Sequence, residues 1–598
     1  MSDLLIPADA SFGAAALALT ARPAPGSLFE GTPFSEPQQA WLNGFLAGLA
    51  AMKRNMEEGQ AAPTLTLEIL YGSQTGNSEM LAQQLGALAR GKGYGANLTE
   101  LDAMTPEKLA TLPYVLVITS TYGEGEMPDN AELFWEALSA PTAPRLEDTR
   151  FAVLSLGDSG YDDFCQAGRD IDLRFEQLGA GRIVTRVDCD VDFEEPAEAW
   201  IEETLAAIVA EAPPGAAGSG EAAAPAPARS PWNKKTPFPS KLSVNRVLSG
   251  DGSAKEIRHF EFDLGDSGIT YAAGDALAVV PVNDPALVEL LLARLELDGD
   301  ADAGGESLRE RMLREWEIAT PSKDLINAIA ERDPEGELAA MVRREDRAAM
   351  DSWLWGRDTL DLLEGSPEVR FSALELSELL RPLQARSYSI SSSPLQSPDR
   401  IHLTVASVRH GREREHGGVT STYLADRLDA EQPVGIYLQP NNAFSVPEDG
   451  DRPVVMIGPG TGIAPFRGFL HERAESGAKG PNWLFFGDQH AASDFIYRDE
   501  LEAMQASGVL TRLDLAFSRD QAEKIYVQTR MREQGAELYA WLEQGGYLYV
   551  CGDATRMAKD VEHALLEIVQ AHRGCSEAEA NEYVSMLKRE KRYVRDVY

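Results

Sequence analysis

The sequence predicts a multidomain α/β protein, and three observations lead to this prediction. The first is length, because 598 residues exceed what one hydrophobic core supports at roughly 150 residues per domain. The second is that strand-like apolar segments alternate with helical patterns in residues 64–211 and again after Pro453, which is typical of parallel, doubly wound sheets. The third is an Ala/Pro/Gly-rich stretch at residues 212–232, whose composition predicts a flexible linker.

The first α/β segment, residues 64–211, has a strand pattern at 64–71 followed by a helical pattern at 79–90. Further apolar strands at 114–119 and 151–156 each run into a loop of small and acidic residues. Ligands of doubly wound sheets bind beyond the carboxyl ends of the strands. The loops that follow the three strands are therefore the predicted binding site.

These three loops predict a site for FMN. The first loop places hydroxyls and backbone N–H groups before a helix, where an anion is favoured, and it lacks the lysine of a nucleotide P-loop. Two tyrosines on the later loops can sandwich a planar ring. The predicted FMN-binding residues are Ser73, Gln74, Thr75, Gly76, Asn77, Ser78, Ser120, Thr121, Tyr122, Gly123, Leu156, Gly157, Asp158, Ser159, Gly160, Tyr161, Asp162, Asp163, Phe164 and Cys165.

The middle of the chain contains a second flavin-site pattern. Residues 233–282 and 383–448 contain short strands with turns, which predicts a β-barrel, and the largely helical residues 283–382 interrupt them. Within the second segment, Arg386-Ser387-Tyr388-Ser389 offers a guanidinium for a phosphate and an aromatic ring for a flavin face.

The last segment, residues 449–598, predicts a Rossmann-like dinucleotide site. The buried strand at 454–457 leads into Gly458, Gly460, Thr461 and Gly462 and then a helix, the arrangement that binds a pyrophosphate. Further along the chain, hydroxyls, cations and an aromatic cluster at 518–519 and 524–528. In an acidic chain this local excess of donors suits a 2′-phosphate.

Composition limits the function classes. A formal net charge of −40 argues against nucleic acid and anionic membranes as partners. The charge has two explanations: solubility, or an acidic face that docks a basic electron-accepting protein. The four cysteines and eight histidines are scattered without metal-site spacing, so we predict no metal. No apolar run approaches the roughly 20 residues that span a bilayer, which predicts a cytoplasmic protein.

Residues 1–63 contain one amphipathic pattern, at 38–52, in which Trp41, Leu42, Phe45 and Leu46 recur at helical spacing. A single short helix cannot bury its own apolar face. It therefore packs either on a neighbouring subunit, as an oligomerisation helix, or back on its own chain.

The motifs together resemble a known family. Residues 64–211 look like a flavodoxin-type FMN domain, and the remainder resembles the ferredoxin-NADP reductase family, a combination found in diflavin reductases. Within that group the likeness is to the flavoprotein (alpha) subunits of NADPH-dependent sulfite reductases. It is carried by strings such as 164–166, 263–268, 483–487 and the final residues 592–598.

The resemblance implies roles for individual residues. His410 and Ser322 stand where relatives often have Tyr and Thr. The implied FAD-binding residues are Ser322, Arg386, Ser387, Tyr388, Ser389, Thr404, Val405, Ala406, His410, Gly417, Gly418, Val419, Thr420 and Tyr598. The implied NADP-binding residues are Gly458, Gly460, Thr461, Gly462, Ser518, Arg519, Lys524, Ile525, Tyr526, Val527, Gln528 and Asp560. The implied catalytic residues are Ser389, Cys551, Asp596 and Tyr598, the last as a gate over the flavin ring.

The resemblance also implies an electron route from NADPH to FAD, then to FMN, then to a separate protein. That partner would be a hemoprotein (beta) subunit with siroheme and an iron-sulfur cluster that reduces sulfite to sulfide. Two alternatives remain at this point. One is a soluble protein similar to cytochrome P450 reductase that serves another heme protein, and the other is a subunit-organising protein whose flavins are structural.

Overall fold

The computed structural model describes residues 65–123, 125–161, 163–212, 230–411 and 414–598. The helix predicted at 38–52, most of the predicted linker and the predicted FMN residue Asp162 therefore lie outside the described residues. We refer to residues 65–212 as the amino-terminal unit, 230–448 as the middle unit and 449–598 as the carboxy-terminal unit.

The amino-terminal unit is built on a parallel sheet with the strand order β2-β1-β3-β4-β5, in which β6 also pairs with β4. This is the flavodoxin-like order of a doubly wound sheet. Its strands are β1 (Thr66–Gly72), β2 (Gly95–Glu100), β3 (Tyr114–Ser120), β4 (Arg150–Leu156), β5 (Gly181–Arg182) and β6 (Val187–Cys189). Its helices are Asn77–Gly91, Pro106–Leu109, Glu132–Ser139, Gln166–Gln177 and Glu194–Glu211. Two separate apolar cores pack in this unit, and the three predicted FMN loops follow β1, β3 and β4.

The strands of the middle unit form two antiparallel sheets, ordered β11-β10-β15-β7 and β12-β9-β8, and a short hairpin. They share one apolar core. The strands are β7 (Phe238–Ser240), β8 (Leu242–Val247), β9 (Glu256–Asp263), β10 (Ala276–Val279), β11 (Arg386–Ser389), β12 (Arg400–Ser407), β13 (Arg409–His410), β14 (His416–Gly417) and β15 (Val434–Gln439).

Between β10 and β11 the chain is helical and has a core of its own. Several of these helices begin with a Ser or Asp whose side chain accepts a backbone N–H, the usual way to satisfy the first turn. The helices are Pro285–Leu295, Leu308–Arg314, Lys323–Arg332, Glu337–Val342, Arg347–Leu354, Thr359–Gly365 and Ala373–Leu379.

The carboxy-terminal unit contains a parallel sheet ordered β18-β17-β16-β19-β20. Side chains of the sheet contribute to two apolar cores. Its strands are β16 (Val454–Ile457), β17 (Asn482–Asp488), β18 (Arg512–Phe517), β19 (Tyr547–Gly552) and β20 (Tyr593–Val597). Its helices are Ala464–Glu475, Ala491–Asp494, Arg498–Ser507, Val527–Glu533, Gly535–Glu543, Met557–Arg573 and Glu577–Arg589. Within the described ranges, no helix has the length and apolar character needed to cross a bilayer.

Candidate functional site

The loop after β1 is shaped by a glycine and by side chains from neighbouring loops. Gly76 has a φ of +82°, in the left-handed region, and the helix begins at the next residue. The backbone N–H of Ser73 donates to Oδ1 of Asn130 at 2.8 Å. The backbone N–H of Gln74 donates to Oγ of Ser120 at 3.3 Å. These bonds hold the loop at a helix N-terminus, where backbone N–H groups favour an anion.

Two hydroxyls at this loop are buried and have no hydrogen-bond partner among the described residues. They belong to Ser73 and Ser78. Buried polar atoms in proteins are nearly always hydrogen-bonded, so unpartnered hydroxyls beside a helix N-terminus fit a bound phosphate. The residues present therefore suit the phosphate group of FMN.

The three FMN loops border a cavity of about 2330 Å³. The tyrosines of the FMN loops, Tyr122 and Tyr161, both line it, and Tyr161 is 53% exposed. The predicted FMN residues in the wall are Thr75, Gly76, Asn77, Ser120, Thr121, Tyr122, Gly123, Leu156, Gly157, Asp158, Tyr161, Asp163, Phe164 and Cys165. The other described ones, Ser73, Gln74, Ser78, Ser159 and Gly160, are outside that wall.

A buried side chain and a hydrogen bond to a neighbouring segment fix the third FMN loop, which follows β4. The Cys165 side chain is fully buried, and burial raises the pKa of its thiol to about 12. The backbone N–H of Ser159 donates to Oδ1 of Asp190 at 3.0 Å. Sequence reasoning missed Asp190 and Asn130, because neither stands in a motif and each acts on a loop distant in sequence.

The predicted FAD strand β11 runs antiparallel to β10, with Ser389 opposite Ala276. Arg386 lines the same cavity as the FMN loops, with its NH2 atom 3.4 Å from Oε2 of Glu317. Burial raises the pKa of Tyr388 to about 12, so its hydroxyl keeps its proton. The cationic member of the FAD motif, Arg386, thus lines the same cavity as the FMN loops.

The residues of β12 predicted to bind FAD face different surroundings. Thr404 and Val405 are buried and Ala406 is half-buried. The Thr404 hydroxyl lies 2.8 Å from the hydroxyl of Tyr497, a residue of the carboxy-terminal unit. Its hydrogen bond therefore serves the boundary between two units.

The hairpin after β12 and the short helix that follows it contain five more predicted FAD residues. The His410 ring stacks on that of His416, with centroids 5.2 Å apart and planes at 15°. Gly417 ends the hairpin, and Gly418 precedes a short helix, Val419–Thr422, that contains Thr420.

Ser322 and Ser387 already have partners within the protein. Ser322 caps the helix Lys323–Arg332, accepting from the backbone N–H of Leu325 at 3.1 Å and donating to the Leu379 carbonyl. Ser387 donates to the side chain of Gln439. The cap fully explains a buried serine at 322, so a contact of Ser322 with FAD stays a prediction.

The four predicted catalytic residues meet at the ends of β11, β19 and β20. The Ser389 hydroxyl donates to Oδ2 of Asp596 at 2.6 Å, and Sγ of Cys551 lies 3.8 Å from the same oxygen. Burial raises the pKa of Asp596 and that of Cys551. Tyr598 lines the cavity, and its hydroxyl lies 3.0 Å from Oγ1 of Thr461.

The glycine turn after β16 lies against the strand that carries the cysteine. A Cβ atom on Gly462 would stand 2.1 Å from the carbonyl oxygen of Cys551, so only glycine fits there. Gly460 has a φ of +61°, and Gly458 packs close to Phe466. The turn expected to bind a pyrophosphate and the strand of Cys551 are therefore fixed to each other.

The predicted adenosine end follows β18. The backbone N–H groups of Ser518 and Arg519 donate to the carbonyls of Asp488 and Gln489, each at 2.9 Å. The side chains of Arg519 and Lys524 are exposed, and among the described residues neither forms an ion pair. Two unpaired cations on an acidic protein suit a phosphate.

Other residues at this end differ in exposure. Tyr526 is 44% exposed, and Nε2 of Gln528 donates to Oδ2 of Asp560 at 3.0 Å. Val527 is buried in the core and Ile525 packs against it. The side chains of Val527 and Ile525 therefore contribute packing, and a contact of either with NADP would come from its backbone.

Histidines that are scattered in the sequence come together in space. His259, Glu261 and His402 form one group, and a second contains Asp358, Asp361 and His416. Burial lowers the pKa of His259 and of His402, so both rings are neutral. The first group is hydrogen-bonded internally, with Nε2 of His259 3.2 Å from Oε1 of Glu261. The spacing argument could not foresee either group, and the absence of a metal stays a prediction.

Three family models match successive parts of the chain. Residues 69–200 match the model described as flavodoxin, 230–423 the FAD binding domain and 456–563 the oxidoreductase NAD-binding domain. With the loops and strands described above, they define a flavoprotein oxidoreductase that uses FMN, FAD and NADPH.

Curated relatives are similar over nearly the whole chain. The sulfite reductase (NADPH) flavoprotein alpha-component of Bacillus subtilis is 42% identical over 94% of this chain and 96% of its own length. Those of Yersinia enterocolitica and Cronobacter sakazakii are each 41% identical over the same shares. The chain belongs to the family of sulfite reductase (NADPH) flavoprotein alpha-components.

The two flavin sites should be separable. Because the FMN loops all lie in the amino-terminal unit, a fragment of residues 64–211 should retain FMN alone, while the full chain should hold one FMN and one FAD. Chromatography of flavins released by acid checks both. Full-length protein that releases only FAD, or a fragment that releases FAD, contradicts the prediction.

Proposed function

We propose that this chain carries electrons from NADPH through FAD and FMN to a separate hemoprotein that reduces sulfite to sulfide. The observation that carries the proposal is the shared cavity, since FMN loops, Arg386 and Tyr598 all line it. The names of the relatives support the choice of sulfite as the final substrate.

When bound, FAD accepts a hydride from NADPH and FMN hands on single electrons. The chain's own residues orient these groups. Asp596 accepts the hydrogen bond of Ser389 and so fixes the direction of that hydroxyl. Because burial raises its pKa, Asp596 can hold a proton beside Ser389 and Cys551 at a higher pH than an exposed aspartate would.

The remaining predicted features complete the proposal. The two antiparallel sheets form the FAD-binding barrel of residues 233–282 and 383–448, interrupted by the helical insertion 283–382. Residues 64–211 form the FMN domain and 449–598 the NADPH-binding domain, joined through the linker 212–232. We further propose that the protein acts in the cytoplasm and that the segment 38–52, predicted from its sequence to be helical, holds it in an oligomer.

The acceptor is proposed to be the siroheme-containing beta subunit. The carboxyl-rich surface that a net charge of −40 implies would attract a basic face of that subunit. The four cysteines do not stand at the close spacing of an iron-sulfur site. Sulfite reduction therefore needs the partner.

The test supplies the purified chain with NADPH and a siroheme hemoprotein. We expect hemoprotein reduction to slow as ionic strength rises, because exposed charges are screened over about 8 Å at physiological salt. Reduction of menadione, an uncharged quinone, should change little. Brisk menadione reduction with no hemoprotein reduction would overturn the proposed partner, and salt-independent transfer would overturn electrostatic steering.

A further inference from the structure

Strand β20 (Tyr593–Val597) touches two units of the protein at once. Successive side chains of a strand point to opposite faces. Asp596 faces Ser389 of the middle unit, while Arg595 faces the amino-terminal unit. The next carbonyl, that of Val597, accepts a hydrogen bond from the hydroxyl of Tyr122 at 2.9 Å.

Arg595 forms an extended set of ion pairs. Its Nε and NH2 atoms lie 3.1 and 2.5 Å from the two carboxylate oxygens of Asp129. Its NH2 also lies 2.8 Å from Glu132, and its NH1 lies 3.1 Å from Glu562 of its own unit. The Arg595 side chain is only 14% exposed. Such bidentate, partly buried pairs are stronger than surface pairs and more specific in geometry.

The two carboxylates that face Arg595 differ, since burial raises the pKa of Asp129 despite the nearby charge of Arg595. Burial acts to raise the pKa of Glu132, but the charges of Arg595 and Lys588 outweigh burial and leave that pKa lowered. Lys588 bridges Glu132 and Glu562, each at 3.0 Å. Removing Arg595 would therefore leave Asp129 and Glu132 with less positive charge opposite them, and would weaken the contact between the two units.

Arg595 and Val597, the two sequence neighbours of Asp596, both contact the amino-terminal unit. Tyr598 is the next residue after them. While the amino-terminal unit is docked, Asp129, Glu132 and Tyr122 restrain the strand on both sides of Asp596. Tyr598 must leave its position when a nicotinamide enters, according to the proposed function on which this argument rests. A docked amino-terminal unit therefore opposes that movement.

We infer that Arg595 is a positioning residue that links docking of the amino-terminal unit to entry of the nicotinamide. Docking of the amino-terminal unit favours the observed position of Tyr598, and a bound nicotinamide favours the displaced position of Tyr598 and of the strand end that carries it. Because coupling between two binding events is reciprocal, NADP⁺ should weaken docking by the same factor by which docking weakens NADP⁺. After hydride delivery, the same coupling favours release of the amino-terminal unit toward an external acceptor.

The test compares two variants that each remove one cation from this boundary. Arg595→Met removes the proposed link. Lys591→Met is the matched control, since Lys591 pairs with Glu100 of the amino-terminal unit at 2.7 Å but precedes the strand. Docking is measured on the oxidised holoenzyme by small-angle X-ray scattering, with and without NADP⁺, and NADP⁺ affinity is measured by calorimetric titration.

We expect NADP⁺ to shift the docking equilibrium of the unmodified protein and of Lys591→Met toward the extended form, by about fivefold or more. Arg595→Met should be more extended from the start and should not respond. Asp129→Asn, which alters only the amino-terminal side of the pair, should lose most of the response and provides the test if Arg595→Met fails to fold. Dissociation constants for NADP⁺ should be lower in Arg595→Met than in the unmodified protein.

The inference would be overturned if NADP⁺ still shifted the docking equilibrium of Arg595→Met or of Asp129→Asn. It would also be overturned if Lys591→Met lost this shift as completely as Arg595→Met. Failure of the unmodified holoenzyme to bind NADP⁺ would instead overturn the proposed function. Tight NADP⁺ binding without any change in docking would overturn the inference alone.

Discussion

Replacement of Arg519 by alanine is expected to weaken NADPH binding by about 1–3 kcal/mol, roughly 5-fold to 150-fold in dissociation constant. The physical reason is that an exposed guanidinium without an ion-pair partner among the described residues is available to a phosphate. NADH has no 2′-phosphate, so its binding should hardly change. Steady-state kinetics with both donors, together with titration of each nucleotide, measure the effect.

A matched variant separates a specific contact from a general loss of positive charge. Arg532 belongs to the nearby helix Val527–Glu533 and pairs with Glu567, so Arg532→Ala should leave NADPH binding unchanged. Equal losses for NADPH and NADH in Arg519→Ala would mean that Arg519 does not recognise the 2′-phosphate.

Replacement of Tyr598 by alanine is expected to tighten the binding of both NADPH and NADH. Tyr598 lies in the cavity wall, which fits a ring that covers the flavin and must be displaced. Aromatic stacking contributes about 0.5–1.5 kcal/mol, so affinity for both nucleotides should rise up to about tenfold. Titration with NADP⁺ and NAD⁺ measures this.

The phenylalanine variant is the control for this effect. Tyr598→Phe keeps the ring but removes the hydroxyl that lies 3.0 Å from Thr461, so its nucleotide affinities should stay close to those of the unmodified protein. If Tyr598→Ala behaves like Tyr598→Phe, the ring does not compete with the nicotinamide.

Local patterns predicted much of the fold. The apolar strands and the glycine turns after β1 and β16 are signals that short segments carry, and the structure places strands and turns there. β1 ends at Gly72 and its helix begins at Asn77, within two residues of the prediction, because Gly76 takes the left-handed conformation that ends the loop. Periodicity and turn chemistry act over a few residues, so they can be read from the sequence.

Contacts between distant segments could not be predicted in this way. Asn130 holds a loop more than 50 residues away, and Arg595 meets Asp129 across 466 positions. Nothing in the local sequence around Arg595 distinguishes it from the chain's other arginines. The helix-capping role of Ser322 also escaped the sequence reasoning, and its contact with FAD stays a prediction.

The two boundaries of the carboxy-terminal unit respond differently to solvent. Toward the middle unit its contacts are mostly buried, such as Tyr497 between His259 and Thr404, and one ion pair joins Asp488 to Lys255. Toward the amino-terminal unit it presents ion pairs, including the half-exposed Lys591. Added salt screens the second kind and barely affects the first. The contact between the middle and carboxy-terminal units should therefore be less sensitive to salt than the contact with the amino-terminal unit, so rising ionic strength should separate the amino-terminal unit first.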